Sequence, residues 1–280
     1  MLTLPLVVLG VVQPVTPPSE AALIHGRLAP PEYRLTYSPG GSLRDYQPQP
    51  GDVVLSTTDG RIATARYALA LTWRPTHVGI VVRMPGGELG VLEAGGGDSH
   101  LTRTTTVPER FARASDKAIW VRQPLSPLTA EQSARLSEFA AAVEGRPYAS
   151  LRQNLLGTVF RARGPVRTMF IGGPKGLRED YICSEAVLES LVWSGVIKAE
   201  TARPAATFPR DMFFDRSPNP YIHAHPPLKC GWKPPALWVK DCAAICPGTE
   251  SAIGPVVRDA PAARNELLER FVGTYGANPR

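Results

Sequence analysis

Three residue types that can together break an acyl bond occur here in settings suited to that chemistry. The run Tyr181-Ile182-Cys183-Ser184-Glu185-Ala186-Val187-Leu188 opens an amphipathic helix with a cysteine in its first turn. Upstream, Thr76-His77-Val78-Gly79-Ile80-Val81-Val82 reads as a short buried strand with a histidine at its start. Val91-Leu92-Glu93-Ala94 reads as a second strand after a Pro-Gly-Gly turn. The attacking species of a cysteine is its thiolate, which a helix N-terminus and a neighbouring imidazolium both favour. A carboxylate on the adjacent strand would hold the imidazole in the useful tautomer. Cys183, His77 and Glu93 are therefore the candidate nucleophile, general base and orienting group. With Asp180 as the expected helix cap, the Cys183 N–H is left as an oxyanion donor.

The elements around these residues must bring them together. A turn centred on Pro85 places His77 opposite Glu93, and directly opposed residues share a face; an even-length turn would flip one of them away. Asp98 is the rival carboxylate, and His100 beyond the Gly95-Gly96-Gly97-Asp98 loop is a candidate to line the cleft. His25, His100, His223 and His225 are poorer bases, because none lies on a strand of the expected core. Strands are expected over 52–57, 76–83, 88–94 and 118–123, with a short helix or loop from Arg61 to Trp73 over the site. Leu128 to Glu144 is the clearest helix. Thr129 and Gln132 form a capping box, Leu136, Phe139, Ala140 and Val143 recur at helical spacing, and Gly145 stops it. Asn154 to Phe160 reads as a helix or irregular segment. The cysteine helix is expected over about 181–194, burying Val187, Leu188, Leu191 and Val192 before Gly195.

Chain order adds a further clue. His77 and Glu93 precede Cys183, the reverse of papain-like and NlpC-type enzymes. With the HVGIVV and YICSEAVLE runs, this order resembles the circularly permuted papain-like hydrolases of the YaeF/YiiX type, in the NlpC-like superfamily. Gln49-Pro50-Gly51-Asp52-Val53-Val54 resembles that family's opening strand. Gly145-Arg146-Pro147-Tyr148 resembles the segment before its cysteine helix, and Phe208-Pro209-Arg210-Asp211-Met212 its closing motif. The resemblance covers residues 48–215 and implies an α+β permuted papain-like (NlpC-like) fold, with an antiparallel sheet packed against the cysteine-bearing helix. It implies an amidase or peptidase-like hydrolase working through a thioester on cell-wall peptides, N-acyl amino acids or lipid-linked amides, with no cofactor and no metal. The rivals are an acyltransferase of the lecithin retinol acyltransferase-like type and a non-catalytic module that keeps the cleft. No counterpart of the acyltransferase branch's NCEHF-type nucleophile motif is seen.

Bulk composition fits this reading and narrows the partners. With 43% apolar and 20% charged residues over 280 positions, the chain is globular and can bury a core. Residues 1–47 form an N-terminal extension, and residues 216–280 a Pro-rich C-terminal extension, helical near Ala262–Val272. The net charge of +6 is spread without a basic block and reads first as a solvated arginine-rich surface; an anionic membrane surface is the alternative partner beside a small peptide or acyl-amide substrate. No nucleic-acid motif appears. Residues 2–12 are apolar but lack a basic n-region and a cleavage site, so a weak signal segment and a buried strand compete; export or the cell envelope is slightly favoured over the cytoplasm. Cys230, Cys242 and Cys246 could supply one disulfide after export. With His223 and His225 they match no standard zinc spacing. Gly172-Gly173-Pro174-Lys175-Gly176 lacks the Walker pattern and reads as a flexible loop. Tyr148 and Tyr181 are candidates to border the cleft, Tyr181 also as a second oxyanion donor.

Overall fold

Apolar alternation builds the sheet of this protein, whose computed structural model describes residues 33–36, 44–58, 74–95, 99–113, 116–149, 168–170 and 172–240. The strands are β1 (Tyr33–Thr36), β2 (Arg44–Tyr46), β3 (Val53–Thr58), β4 (His77–Arg83), β5 (Leu89–Ala94), β6 (Thr102–Thr106), β7 (Asp116–Arg122) and β8 (Ala236–Lys240). They form one sheet in the order β2-β1-β8-β7-β3-β4-β5-β6, every pair antiparallel. The helices are α1 (Val107–Phe111), α2 (Ala130–Val143), α3 (Cys183–Trp193), α4 (Pro209–Phe214) and α5 (Pro220–Ala224). Helices beside an antiparallel sheet make the class α+β.

Both faces of the central strands are covered. Val53, Leu55, Val78, Ile80, Val82, Leu92 and Ala94 pack against Leu136 and Phe139 of α2 and Val187, Leu188 and Leu191 of α3. Their neighbours in the alternation, Val54, Val81 and Val91, pack with Ile119 and Val121 of β7 and Val107 and Phe111 of α1. Burial on both sides explains why HVGIVV reads as a nearly continuous apolar run.

Helix ends follow local chemistry where the chain is free to do so. Thr129 caps α2 through its side chain, Gln132 returns the bond, and Gly145 leaves the helix at φ 77°. At α3 the expectation fails: Ile182, not Asp180, is the cap residue, and the helix begins at Cys183. Tyr181 is bridged to Tyr148, with its N–H on Pro147 O at 3.2 Å and its carbonyl taking the Ala149 N–H at 2.9 Å. Its neighbour Ile182 is likewise extended, at φ −93° and ψ 160°, so no helical turn can start earlier. Glu185 then accepts the Ile182 N–H at 3.2 Å.

The flanking segments join the same sheet. Residues of the expected lead-in form β1 and β2, and β8, drawn from the Pro-rich region, lies between β1 and β7. Buried Arg122 fastens that region: it donates to Asp215 and to the carbonyls of Met212, Leu228 and Lys233. Residues 2–12, Arg61–Trp73, Asp98, Asn154–Phe160, Cys242, Cys246 and 262–272 lie outside the described residues.

Candidate active site

β4 delivers His77 as its first residue, and β5 delivers Glu93 one residue before its end. The register corrects the expected hairpin by two positions: Glu93 lies opposite Gly79, while His77 pairs with Ser56 of β3. The loop is displaced because Met84 and Glu88 close it, with Met84 N–H on Glu88 O at 2.8 Å and Gly87 at φ 84°. A two-residue shift preserves side-chain parity, so His77 and Glu93 still share a face. Gly79 is what lets them meet. A Cβ there would come within 2.7 Å of Glu93 Cγ, so the glycine leaves the path open for the carboxylate to lie against the ring.

Glu93 is buried, and its Oε1 lies 3.0 Å from His77 Nε2. An ionised carboxylate only accepts, so Nε2 carries the proton and Nδ1 is the nitrogen left for a thiol. The same Oε1 takes Arg110 Nε at 2.5 Å, and Oε2 takes Arg113 Nη1 at 2.6 Å. Burial opposes the Glu93 charge, but Arg110, His77 and Arg113 outweigh it and hold the carboxyl well below the usual range. Burial likewise opposes a charged His77, yet the Glu93 carboxylate and the Cys183 side chain raise it to about 10.

Cys183 is buried in the layer between sheet and α3, on the opposite face from Glu93. Its side chain nonetheless stands, after the Glu93 carboxylate, among the causes that raise the His77 pKa. His77 opens its strand, and a residue at a strand's end can be approached from either layer. The first N–H groups of α3 have no intrahelical acceptor, so those of Cys183 and Ser184 are available to a developing oxyanion.

The neighbouring candidates sort out differently. The Tyr148 ring packs where a Cβ on Gly95 would fall, at 2.5 Å, which brings it beside the end of β5. Tyr181 is not an oxyanion donor: its hydroxyl accepts Arg178 N–H at 2.7 Å and donates to Gly176 O at 3.1 Å. The 172–176 loop is tethered at its Lys175 and Gly176 N–H groups, which donate to the Glu189 carboxylate at 2.9 and 3.0 Å. His100 is exposed, and its carbonyl takes the Tyr148 N–H. His223 and His225 are exposed, as is the free thiol of Cys230; among the described residues no His, Cys, Asp and Glu cluster could hold a metal. Nor is any described helix long and apolar enough to cross a membrane.

Sequence reasoning missed Arg110, Arg113 and Asp116. Arg110 Nη2 donates to Ser56 Oγ at 3.0 Å and its Nη1 to Asp116. One signal was present: Val107, Arg110 and Phe111 fall at i, i+3 and i+4, so the arginine lies on the apolar stripe of a short helix.

No family model matches the chain, and no curated protein matches it. Among solved structures it is similar to the metalloprotein YiiX from Escherichia coli O157:H7 (DUF1105), at 19% identity and a TM-score of 0.37, over 56% of this chain and 69% of that one.

Proposed function

We propose that this protein is a cysteine-dependent hydrolase of permuted papain-like fold, cleaving an amide or ester through a thioester acyl-enzyme. The observation that carries the reading is the His77 imidazole held from Nε2 by buried Glu93 at 3.0 Å, with Cys183 as the first residue of the helix packed on the same sheet. In this mechanism His77 takes the thiol proton, and the Cys183 sulfur bonds to the carbonyl carbon. The N–H groups at the start of α3 stabilise the oxyanion. The tetrahedral adduct collapses as His77 returns the proton to the leaving amine or alcohol. Water, deprotonated by His77, then cleaves the thioester and frees the acid and the thiol. A small peptide or acyl amide is the proposed substrate class. Transfer of the acyl group to an amine instead of water is the competing outcome, separated by product analysis with added acceptors.

The test is alkylation by iodoacetamide across pH, read by mass spectrometry, with exposed Cys230 as internal reference. Cys183, although buried, should react faster than Cys230 at pH 6, and His77→Ala should abolish that advantage. Equal, His77-independent reactivity of the two thiols would remove the nucleophile. Cys183→Ser should eliminate most turnover of acyl-amide probes while the far-UV circular dichroism stays unchanged.

A further inference from the structure

Glu93 has more partners than a group that merely orients a histidine requires. Three donors from three places fix the plane of its carboxylate: His77 and Arg110 on Oε1, Arg113 on Oε2. The arginines are themselves anchored. Arg110, at 1% side-chain exposure, is bound to Asp116 of β7 and Ser56 of β3, and Arg113 Nη2 donates to Thr105 Oγ1 of β6 at 3.0 Å. We propose that Arg110 and Arg113 are positioning residues for the Cys183–His77 pair, clamping Glu93 so that one oxygen stays on His77 Nε2. The inference rests on the catalytic reading above.

The physical need for such a clamp is specific. In a dry site, a lone carboxylate facing an imidazolium can take its proton, leaving two neutral groups and no field to favour the thiolate. A guanidinium cannot give up its own proton, so two of them beside Glu93 keep the negative charge there and the proton on the ring. The charged and titratable groups around Glu93 all fit this account. His77 reaches it from β4, and Arg110 and Arg113 from α1 and the segment after it. Arg103, directly opposite on β6, is exposed. Asp116 on β7 engages Arg110 rather than Glu93.

The experiment combines the iodoacetamide rate of Cys183 with the ring ¹⁵N signals of His77 in the full-length protein, both followed across pH. Arg113 is 21% exposed, so Arg113→Gln should fold even where Arg110→Lys does not. Arg113→Gln should slow Cys183 alkylation at pH 6 by about twofold or more, the lower end of coupling between contacting residues, and move the Nε2 signal towards that of Glu93→Gln. Arg113→Lys should recover most of both. A purely structural role would lower the melting temperature and leave the ring signals where they are. Wild-type rate profiles and ring signals in Arg113→Gln overturn the clamp. The catalytic reading fails separately, if His77→Ala leaves Cys183 alkylation unchanged whatever the arginine variants do.

Discussion

Part-buried His77 and buried Asp52 are both ionisable groups whose proton affinity is raised, but for different reasons and in different pH windows. Burial dominates at Asp52, whose pKa rises to about 7 even though Tyr46 and the Gln49 N–H donate to Oδ2; Oδ1 has no partner among the described residues. A folded-state value above the unfolded 3.8 stabilises fully below that value, and the contribution is lost as pH rises through about 7. Urea unfolding should therefore show wild type losing ground to Asp52→Asn between about pH 4 and 7. At His77 the folded value of about 10 exceeds the ordinary 6.5, so its contribution is complete below 6.5 and lost as pH rises through about 10. The same measurement on His77→Ala should place the wild-type loss in that alkaline window. A His77→Ala difference that is flat from pH 6.5 to 10 would contradict the ion pairing described here. Glu93 has the opposite sign: its stabilisation is lost only on acidification below the ordinary carboxylate range.

At the scale of elements, two substitutions separate scaffold from site. Thr129→Ala removes the side-chain cap of α2 and should cost about 1 kcal/mol in urea unfolding while leaving Cys183 alkylation unchanged. Gly79→Ala drives a methyl into Glu93 Cγ and Val91 Cγ1, and such overpacking should cost about 1–3 kcal/mol. Because the methyl meets the side chain that contacts His77, alkylation of Cys183 should also slow. Normal reactivity in a destabilised Gly79→Ala would show that Glu93 tolerates displacement. The α2 helix was legible because its cap, stripe and stop are contiguous in sequence. The start of α3 was not, because Tyr181 is held extended by Tyr148, a residue far upstream.

On the scale of the molecule, the sheet is closed by segments that flank the resemblance to permuted papain-like enzymes. β8 is the partner of both β1 and β7, so removing residues 216–280 strips one edge of β7 and all support from β1 and β2. A chain ending at Asp215 should fail to give a sharp thermal transition and should elute as an expanded or aggregated species in size-exclusion chromatography. Arg122→Ala, which takes a donor from Asp215 and from the Met212 and Lys233 carbonyls while Leu228 O keeps the Gly231 and Trp232 N–H groups, should cost about 1–3 kcal/mol by urea unfolding. A loss below about 1 kcal/mol would make the clasp an incidental contact.

The apolar alternation of β3, β4 and β5, the capped α2 helix, and Cys183, His77 and Glu93 as residues suited to one chemistry could all be read along the chain. Those features depend on near neighbours, on side-chain period and on residue type, all readable along the chain. Tertiary structure alone decided that Glu93 faces Gly79, that Ile182 rather than Asp180 precedes the helix, and that Arg110 and Arg113 lie on the carboxylate. Each depends on a partner distant in sequence. A hairpin register is set by which backbone groups close the turn, and a buried arginine looks like any surface arginine until the element carrying it is docked.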